Sequence, residues 1–176
     1  VERRKNAEAL LDLAENLKDR TNIHFVLAGR ADSEYADELK RKSEGLPNVT
    51  CVGEISEREK VQLIKSSYLN ILLSRMEALG LAQLEFMFQG VPVITSAVGG
   101  QSWIIRNDRE GKHVKGPKDL EGARKAIVEL VEDPSKWKKL SANAAERAAP
   151  FALSNLIVDL DSAITKELET ESGLSS

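Results

Sequence analysis

Short apolar runs alternate along this chain with longer segments of helical spacing, and that alternation limits the fold more than any other feature. The runs are residues 23–28 (Ile-His-Phe-Val-Leu-Ala), 49–53 (Val-Thr-Cys-Val-Gly), 69–73 (Leu-Asn-Ile-Leu-Leu) and 91–95 (Val-Pro-Val-Ile-Thr), with a brief fifth at 113–115. Each is short, nearly continuous in apolar character and closed by glycine or a polar residue, as buried parallel strands are. Between them lie segments long enough to cross over a sheet. Strands joined by crossovers pair in parallel and need helices on their faces. The expectation is a doubly wound α/β fold around a parallel sheet.

The helical segments carry local signals. Residues 6–17 put Leu10, Leu13, Ala14 and Leu17 on one face, and a more polar helix includes Ala36, Leu39 and Lys40. Ser56-Glu57-Arg58-Glu59 spells a capping box, so a helix bearing Val61 and Ile64 starts there. A helix is expected over 81–88. Residues 119–131 repeat apolar side chains at Leu120, Ala123, Ile127 and Leu130, Asp133-Pro134 is a cap followed by a first-turn proline, and a last helix spans about 154–168. Apolar spacing fades from Glu167. Residues 1–168 therefore read as one domain, without repeat or linker, and 169–176 as a tail.

Composition removes several classes of function. The 25 Lys and Arg nearly balance 28 Asp and Glu, which gives no global attraction to nucleic acid or an anionic membrane. No apolar run approaches the roughly 20 residues of a membrane-spanning helix, and the first residues lack a basic-then-apolar pattern, so no signal peptide is expected in them. The single cysteine, Cys51, fits a reducing compartment and reads as a small buried hydrophobe. The expected localisation is cytoplasmic.

In doubly wound sheets ligands bind beyond the carboxyl ends of the strands. That rule points to Gly29-Arg30, Gly53-Glu54, residues 74–80 and residues 96–100. The segment from Ser74 to Glu85 is the richest. Glu77 falls in a strand-to-helix loop, Gly80 stands where a helix must begin, and Glu85 lies more than a turn inside that helix. Free amides near Leu79, Gly80 and Leu81 would form an anion site, and glycine would let a ligand approach the backbone. The plain alternative is a solvated loop, a turn glycine and a surface glutamate.

The pattern Ser-x-x-Glu-x-(aromatic or apolar)-Gly-Leu-x-x-Leu-Glu-x-Met-x-x-Gly-x-Pro-Val, running from Ser74 to Val93, resembles the signature of retaining glycosyltransferases of the GT-B fold. The similarity is to the carboxyl-terminal domain of the large family-four group, and it covers nearly the whole chain. Arg4-Lys5-Asn6 resembles the step that opens the first helix, Val52-Gly53-Glu54-Ile55 the base-contacting loop, and Val98-Gly99-Gly100 the Gly-Gly turn. The resemblance implies donor binding for transfer of a sugar from a nucleotide-diphosphate sugar to a hydroxyl acceptor. It gives Lys5 the diphosphate leaving group, Glu77 the donor-sugar hydroxyls and Glu85 the ribose. Gly53 and Ile55 would lie by the base, the amides of Leu79, Gly80 and Leu81 would hold the diphosphate, and Ser74 counts among the donor-binding residues. It implies no metal and no separate cofactor. It also implies a preceding first strand with an arginine, and an amino-terminal acceptor domain, so the fragment alone is expected to be inactive.

Departures from the family are Leu79 in place of Phe, Phe86 and Phe88 in place of small residues, and Trp103 in place of Glu. Asp159-Leu160-Asp161 spells a metal motif of another glycosyltransferase fold but falls in a helical pattern. His24 and His113 lack a second ligand at metal spacing. Arg3-Arg4 and Lys138-Lys139 read as solvated charge, the alternative being a patch facing a lipid-linked acceptor, with peripheral membrane contact. The competing readings are a nucleotide-sugar 2-epimerase and a flavodoxin-like or receiver-like domain, whose diagnostic residues are not recognisable here.

Overall fold

The computed structural model describes residues 2–152. Seven helices and five strands alternate in this span: α1 (Ala7–Asn16), β1 (Phe25–Ala28), α2 (Ser33–Ser43), β2 (Val49–Gly53), α3 (Glu57–Ser66), β3 (Asn70–Leu72), α4 (Leu81–Phe88), β4 (Val93–Thr95), α5 (Gln101–Ile104), β5 (Gly111–His113), α6 (Leu120–Glu132) and α7 (Pro134–Ala148). Local chemistry sets the helix starts. Ser56 and Glu59 complete the reciprocal capping box of α3. Asp119 accepts from the Gly122 amide to cap α6, and Asp133 accepts from the amides of Ser135 and Lys136 ahead of Pro134 in α7.

Every strand pairing is parallel. They form two ladders rather than one continuous sheet: β1 with β2, and β3, β4 and β5 in that order. Close approach of β5 requires Gly111, where a Cβ would lie 2.0 Å from the Val93 carbonyl oxygen. The fifth strand sits two residues earlier than its apolar run suggested. The main core joins both ladders, with Leu11, Leu13, Tyr35, Ile94, Ile127 and Leu130 at its centre. A second cluster under α4 and α7 contains Leu84, Met87, Val93, Ile104 and Ala144.

Three expectations are corrected. Cys51 is exposed, not buried, because β2 is an edge strand whose residues Thr50 to Gly53 all face solvent. On α1 the buried set includes Leu11, whereas Leu10 is half-buried against the cleft. The four-residue α5 went unforeseen, being too short to display a helical period. The expected helix at 154–168, with Asp159 and Asp161, lies outside the described residues, as does the tail. No described helix is long and apolar enough to cross a membrane.

Between β1 and β3 runs a cleft of about 1010 Å³, lined along its length by Phe25 to Ala28 of one ladder and Leu69 to Leu72 of the other. The amides of Phe25 and Gly29 donate to β2-side carbonyls, and Asn70 donates toward β4. Backbone groups alternate in direction along a strand, so the amides of Val26, Ala28 and Ile71 point into the cleft. The cleft is bordered by two strand edges without ladder partners.

Candidate functional site at the carboxyl ends of the strands

The strand-to-helix loops gather at one end of this cleft. Lys5, on a 3-10 turn at Arg3–Lys5, leads directly into α1. Its ammonium meets the Glu77 carboxylate in an ion pair formed across 72 residues of sequence. The Glu77 side chain is 7% exposed and that of Lys5 25%, so the carboxylate is buried with its partner while the ammonium keeps access to the cleft. Lys5, Ile55 and Glu85 all line the cleft, as do Arg30, Glu54 and Lys60.

The loop carrying Glu77 is held from behind by the Gly-Gly turn. The Gly100 amide donates to the Ala78 carbonyl at 2.9 Å. A Cβ at Gly99 would lie 1.8 Å from the Glu77 carbonyl oxygen, and one at Gly100 2.3 Å from that of Ala78. Glycine is required twice, by proximity of backbone to backbone. Gly80 then caps α4 in a left-handed conformation with φ 84°, leaving the first-turn amides without a side-chain cap. Such a helix start favours an anion. Leu79 and Leu81 are exposed beside it, and Gly53, the last residue of β2, is exposed with φ 69°.

Ser74 differs from its neighbours. It is wholly buried under the loop, its carbonyl accepting from the Ser96 hydroxyl at 2.7 Å. The Ser74 hydroxyl, both side-chain amide atoms of Gln83 and the Gln101 Nε2 are buried and find no hydrogen-bond partner within the described residues. The Gln101 Oε1 accepts from the Val98 amide at 3.0 Å and so braces the turn.

Glu85 points to the cleft with its side chain 43% exposed, and Lys60 donates to its Oε1 at 3.1 Å. Lys60 also contacts Glu57 at 2.7 Å, and these two hydrogen bonds, Glu57 first, raise its pKa. On the other side of Lys5, Arg75 donates to Glu8 at 2.5 Å, and the buried Tyr35 hydroxyl donates to the other Glu8 oxygen. Burial and that bond push the Tyr35 phenol up to about 12. Burial alone would raise the Glu8 carboxyl, but the Tyr35 hydroxyl, a backbone hydrogen bond and the Arg75 charge outweigh it and hold it below its ordinary value.

The structure therefore gathers Lys5, Glu77, Ile55 and Glu85 at one end of the molecule and the Leu79–Gly80–Leu81 helix start next to them. It buries Ser74. Sequence reasoning missed the parts played by Asn6, Lys60 and Gln101; Lys60 on α3 meets Glu85 of α4 only through the fold, and only Asn6 had any motif signal. His24, which lines the cleft just ahead of β1, meets Thr50 at 2.8 Å, and His113 meets the Ile105 carbonyl at 2.6 Å. Trp103 packs edge-on against Phe151 with Arg147 over its ring.

The sequence profile of the glycosyl transferases group 1 matches residues 1–147. The sulfoquinovosyl transferase SQD2 of Arabidopsis thaliana is 30% identical over 153 residues, 84% of this chain and 29% of that protein. The chain thus spans less than a third of that relative's length. Among solved structures, HepE from Anabaena in complex with UDP-glucose superposes with a TM-score of 0.79 at 21% identity, covering 97% of this chain and 46% of that one. The C-terminal domain of the group 1 glycosyl transferase LpcC from Francisella tularensis gives 0.75 at 22%, covering 85% and 80%. A profile match over most of the chain and a shared architecture agree with the loop geometry: the chain belongs to the glycosyl transferases group 1 and corresponds to their carboxyl-terminal, GT-B-type domain.

Proposed function

We propose that this domain binds the nucleotide-diphosphate sugar donor of a retaining glycosyltransferase, in the cleft end bounded by Lys5, Ile55 and Glu85. The observation that carries the reading is the Lys5–Glu77 pair beside the uncapped start of α4. An ammonium has three donor hydrogens, so Lys5 can keep Glu77 and still contact a phosphate. With the α4 amides it would meet charge developing on the departing diphosphate, and no metal is then needed for that task. Glu77 would take donor-sugar hydroxyls. Glu85, with Lys60 on one oxygen, offers the other to the ribose. Gly53 and Ile55 would border the base. HepE was solved with UDP-glucose, which supports a ligand of this class.

Acceptor binding and transfer would need a further domain, so the isolated chain binds the donor and transfers nothing. The unpaired edges of β1 and β3 support a second part of the reading: an additional parallel strand fits between the two ladders. Followed by α1, such a strand would make a right-handed crossover onto β1. The compartment is the cytoplasm, with the acceptor side free to meet a lipid-linked substrate at a membrane surface.

A thermal-shift screen of UDP, GDP and ADP against flavin mononucleotide and acetyl phosphate tests the reading. One nucleoside diphosphate should stabilise the domain by about 2.7 kcal/mol at one hundred times its dissociation constant. Stabilisation by flavin alone, or by no nucleoside diphosphate, would reject it.

A further inference from the structure

Lys5 is followed by a residue with an unusual backbone and a fully used side chain. Asn6 has φ 58° and ψ 45°, in the left-handed region, and is 3% exposed. Its Nδ2 donates to the Leu73 carbonyl at 3.0 Å and to the Pro117 carbonyl at 2.7 Å. Its Oδ1 accepts from Arg75 Nη2 at 3.1 Å. Asn6 thereby ties three segments together: the turn that carries Lys5, the end of β3 where the Glu77 loop begins, and the loop after β5.

The partners are not arbitrary. Leu73 and Arg75 are the fourth and second residues before Glu77. The Arg75 amide also donates to the Arg4 carbonyl at 2.8 Å, on the opposite sequence side of Lys5. Lys5 is therefore fastened to the Glu77 loop through both of its neighbours before its own ammonium reaches the carboxylate. Arg75 is steadied in turn by Glu8, whose second oxygen is held by Tyr35. Asparagine suits the position twice over. It tolerates the left-handed conformation better than most residues, and its amide supplies two donors and one acceptor. Glycine would match the backbone alone.

We propose that Asn6 is a positioning residue for the phosphate end of the donor site, which holds Lys5 in register with Glu77 through Leu73, Arg75 and Pro117. The inference rests on the donor-binding reading for its consequence in ligand affinity, but not for its consequence in the free protein. Without the Asn6 side chain the Lys5 turn keeps the bond from the Arg75 amide to the Arg4 carbonyl but loses its three side-chain anchors, so the ammonium moves away from the place where a diphosphate is met.

The test uses Asn6→Gly, which accepts the same φ, with Arg75→Met as a second variant on an exposed side chain. The first readout needs no ligand: the rate of reductive methylation of Lys5, followed by peptide mass spectrometry well below the melting temperature. It should rise several-fold in Asn6→Gly, and less in Arg75→Met, while the methylation of Lys42 and Lys60 stays as in the wild type. The second readout is the ratio of UDP to uridine affinity by calorimetry. It should fall roughly tenfold, equivalent to about 1.4 kcal/mol, with uridine affinity unchanged. A lower melting temperature with unaltered Lys5 reactivity and an unaltered ratio would mean that Asn6 only stabilises the fold, and the proposal fails. If wild-type protein binds neither UDP nor uridine, the donor reading fails, and Lys5 methylation alone decides the role of Asn6. If Asn6→Gly does not fold, Arg75→Met decides by the same readouts.

Discussion

Gly99 stands with its α-carbon against the carbonyl of Glu77, so close that a Cβ would fall 1.8 Å from that oxygen, and its φ of 59° is one that other residues adopt at a cost. The carboxylate that pairs with Lys5 is thus placed by a glycine more than twenty residues further along the chain. Gly99→Ala has to move the Glu77 backbone or the turn itself. It should lose roughly 1–3 kcal/mol of stability by denaturant titration, and weaken UDP binding by more than the stability loss explains. Unchanged stability would contradict the close approach.

The inner edges of the two ladders give a prediction about exchange. The amides of Val26, Ala28 and Ile71 point into the cleft without ladder partners, so they should exchange with deuterium much faster than those of Leu27 and Ile94. In a longer polypeptide that supplies an apolar strand to the cleft, the first set should become protected. Fast exchange persisting in such a protein would show that the gap is not a strand site.

Asp119 gives a pH dependence with a defined sign. Its carboxylate accepts from the Lys115 amide at 2.9 Å and the Gly122 amide at 3.0 Å, and these bonds, in that order, hold its pKa below the ordinary value against a smaller opposing effect of burial. A depressed native pKa contributes stability above the unfolded value of about 3.9, and the contribution disappears as pH falls through the native one. Asp119→Ala should cost about 1 kcal/mol at pH 7. The gap between mutant and wild type should narrow as urea titrations are carried from pH 5 to pH 2. A gap independent of pH would show that the ionised carboxylate is not the cap.

How far the sequence disclosed all this depended on the range of each interaction. The Ser56–Glu59 box and the Asp133-Pro134 start are contained within one helical turn, and both were legible. So was the parallel arrangement, because continuous apolar runs separated by crossovers leave few alternatives. The exposure of Cys51 was not legible, since an edge strand and a buried one share the same composition; only pairing tells them apart. The separation into two ladders is likewise a matter of which strands meet. In the site, Glu77 and Glu85 could be suspected from their place after β3, but their pairing with Lys5 and Lys60 joins distant segments. The role of Asn6 rests on three contacts with residues 67 to 111 positions away. No local pattern carries that information.

Lys5→Ala should weaken UDP far more than uridine, because the lost interaction is with phosphate charge. The difference should shrink as salt is raised from 50 mM to 500 mM, since counter-ions screen a partly exposed ammonium. The same change strands the buried Glu77 carboxylate without its partner, so some stability is lost as well. Lys5→Met, measured beside it, retains most of the stem and separates packing from charge. Equal losses for UDP and uridine would remove Lys5 from the phosphate site.

Glu85→Gln should reduce affinity for UDP yet leave the 2′,3′-dideoxy analogue almost unaffected. Glu85 lies on α4, whose start is the proposed phosphate site, and it lines the same cleft as Ile55. Lys60 occupies Oε1 at 3.1 Å, which fixes the carboxylate without consuming both oxygens. Hydrogen bonds to a charged acceptor contribute about 1.5–3 kcal/mol, and the amide preserves shape while losing charge. Part of that energy should disappear only when ribose hydroxyls are present to use it. The Lys60 pair supplies the control: Lys60→Met frees the carboxylate and leaves its charge, so it should retain the discrimination between the two ligands that Glu85→Gln loses. Were Glu85 only the surface partner of Lys60, its substitution would change stability by less than about 0.5 kcal/mol and leave both affinities alone. Calorimetric titration of both nucleotides into the three proteins decides between these outcomes. Equal losses for UDP and its dideoxy analogue would assign Glu85 to holding the α3–α4 face rather than to the ribose.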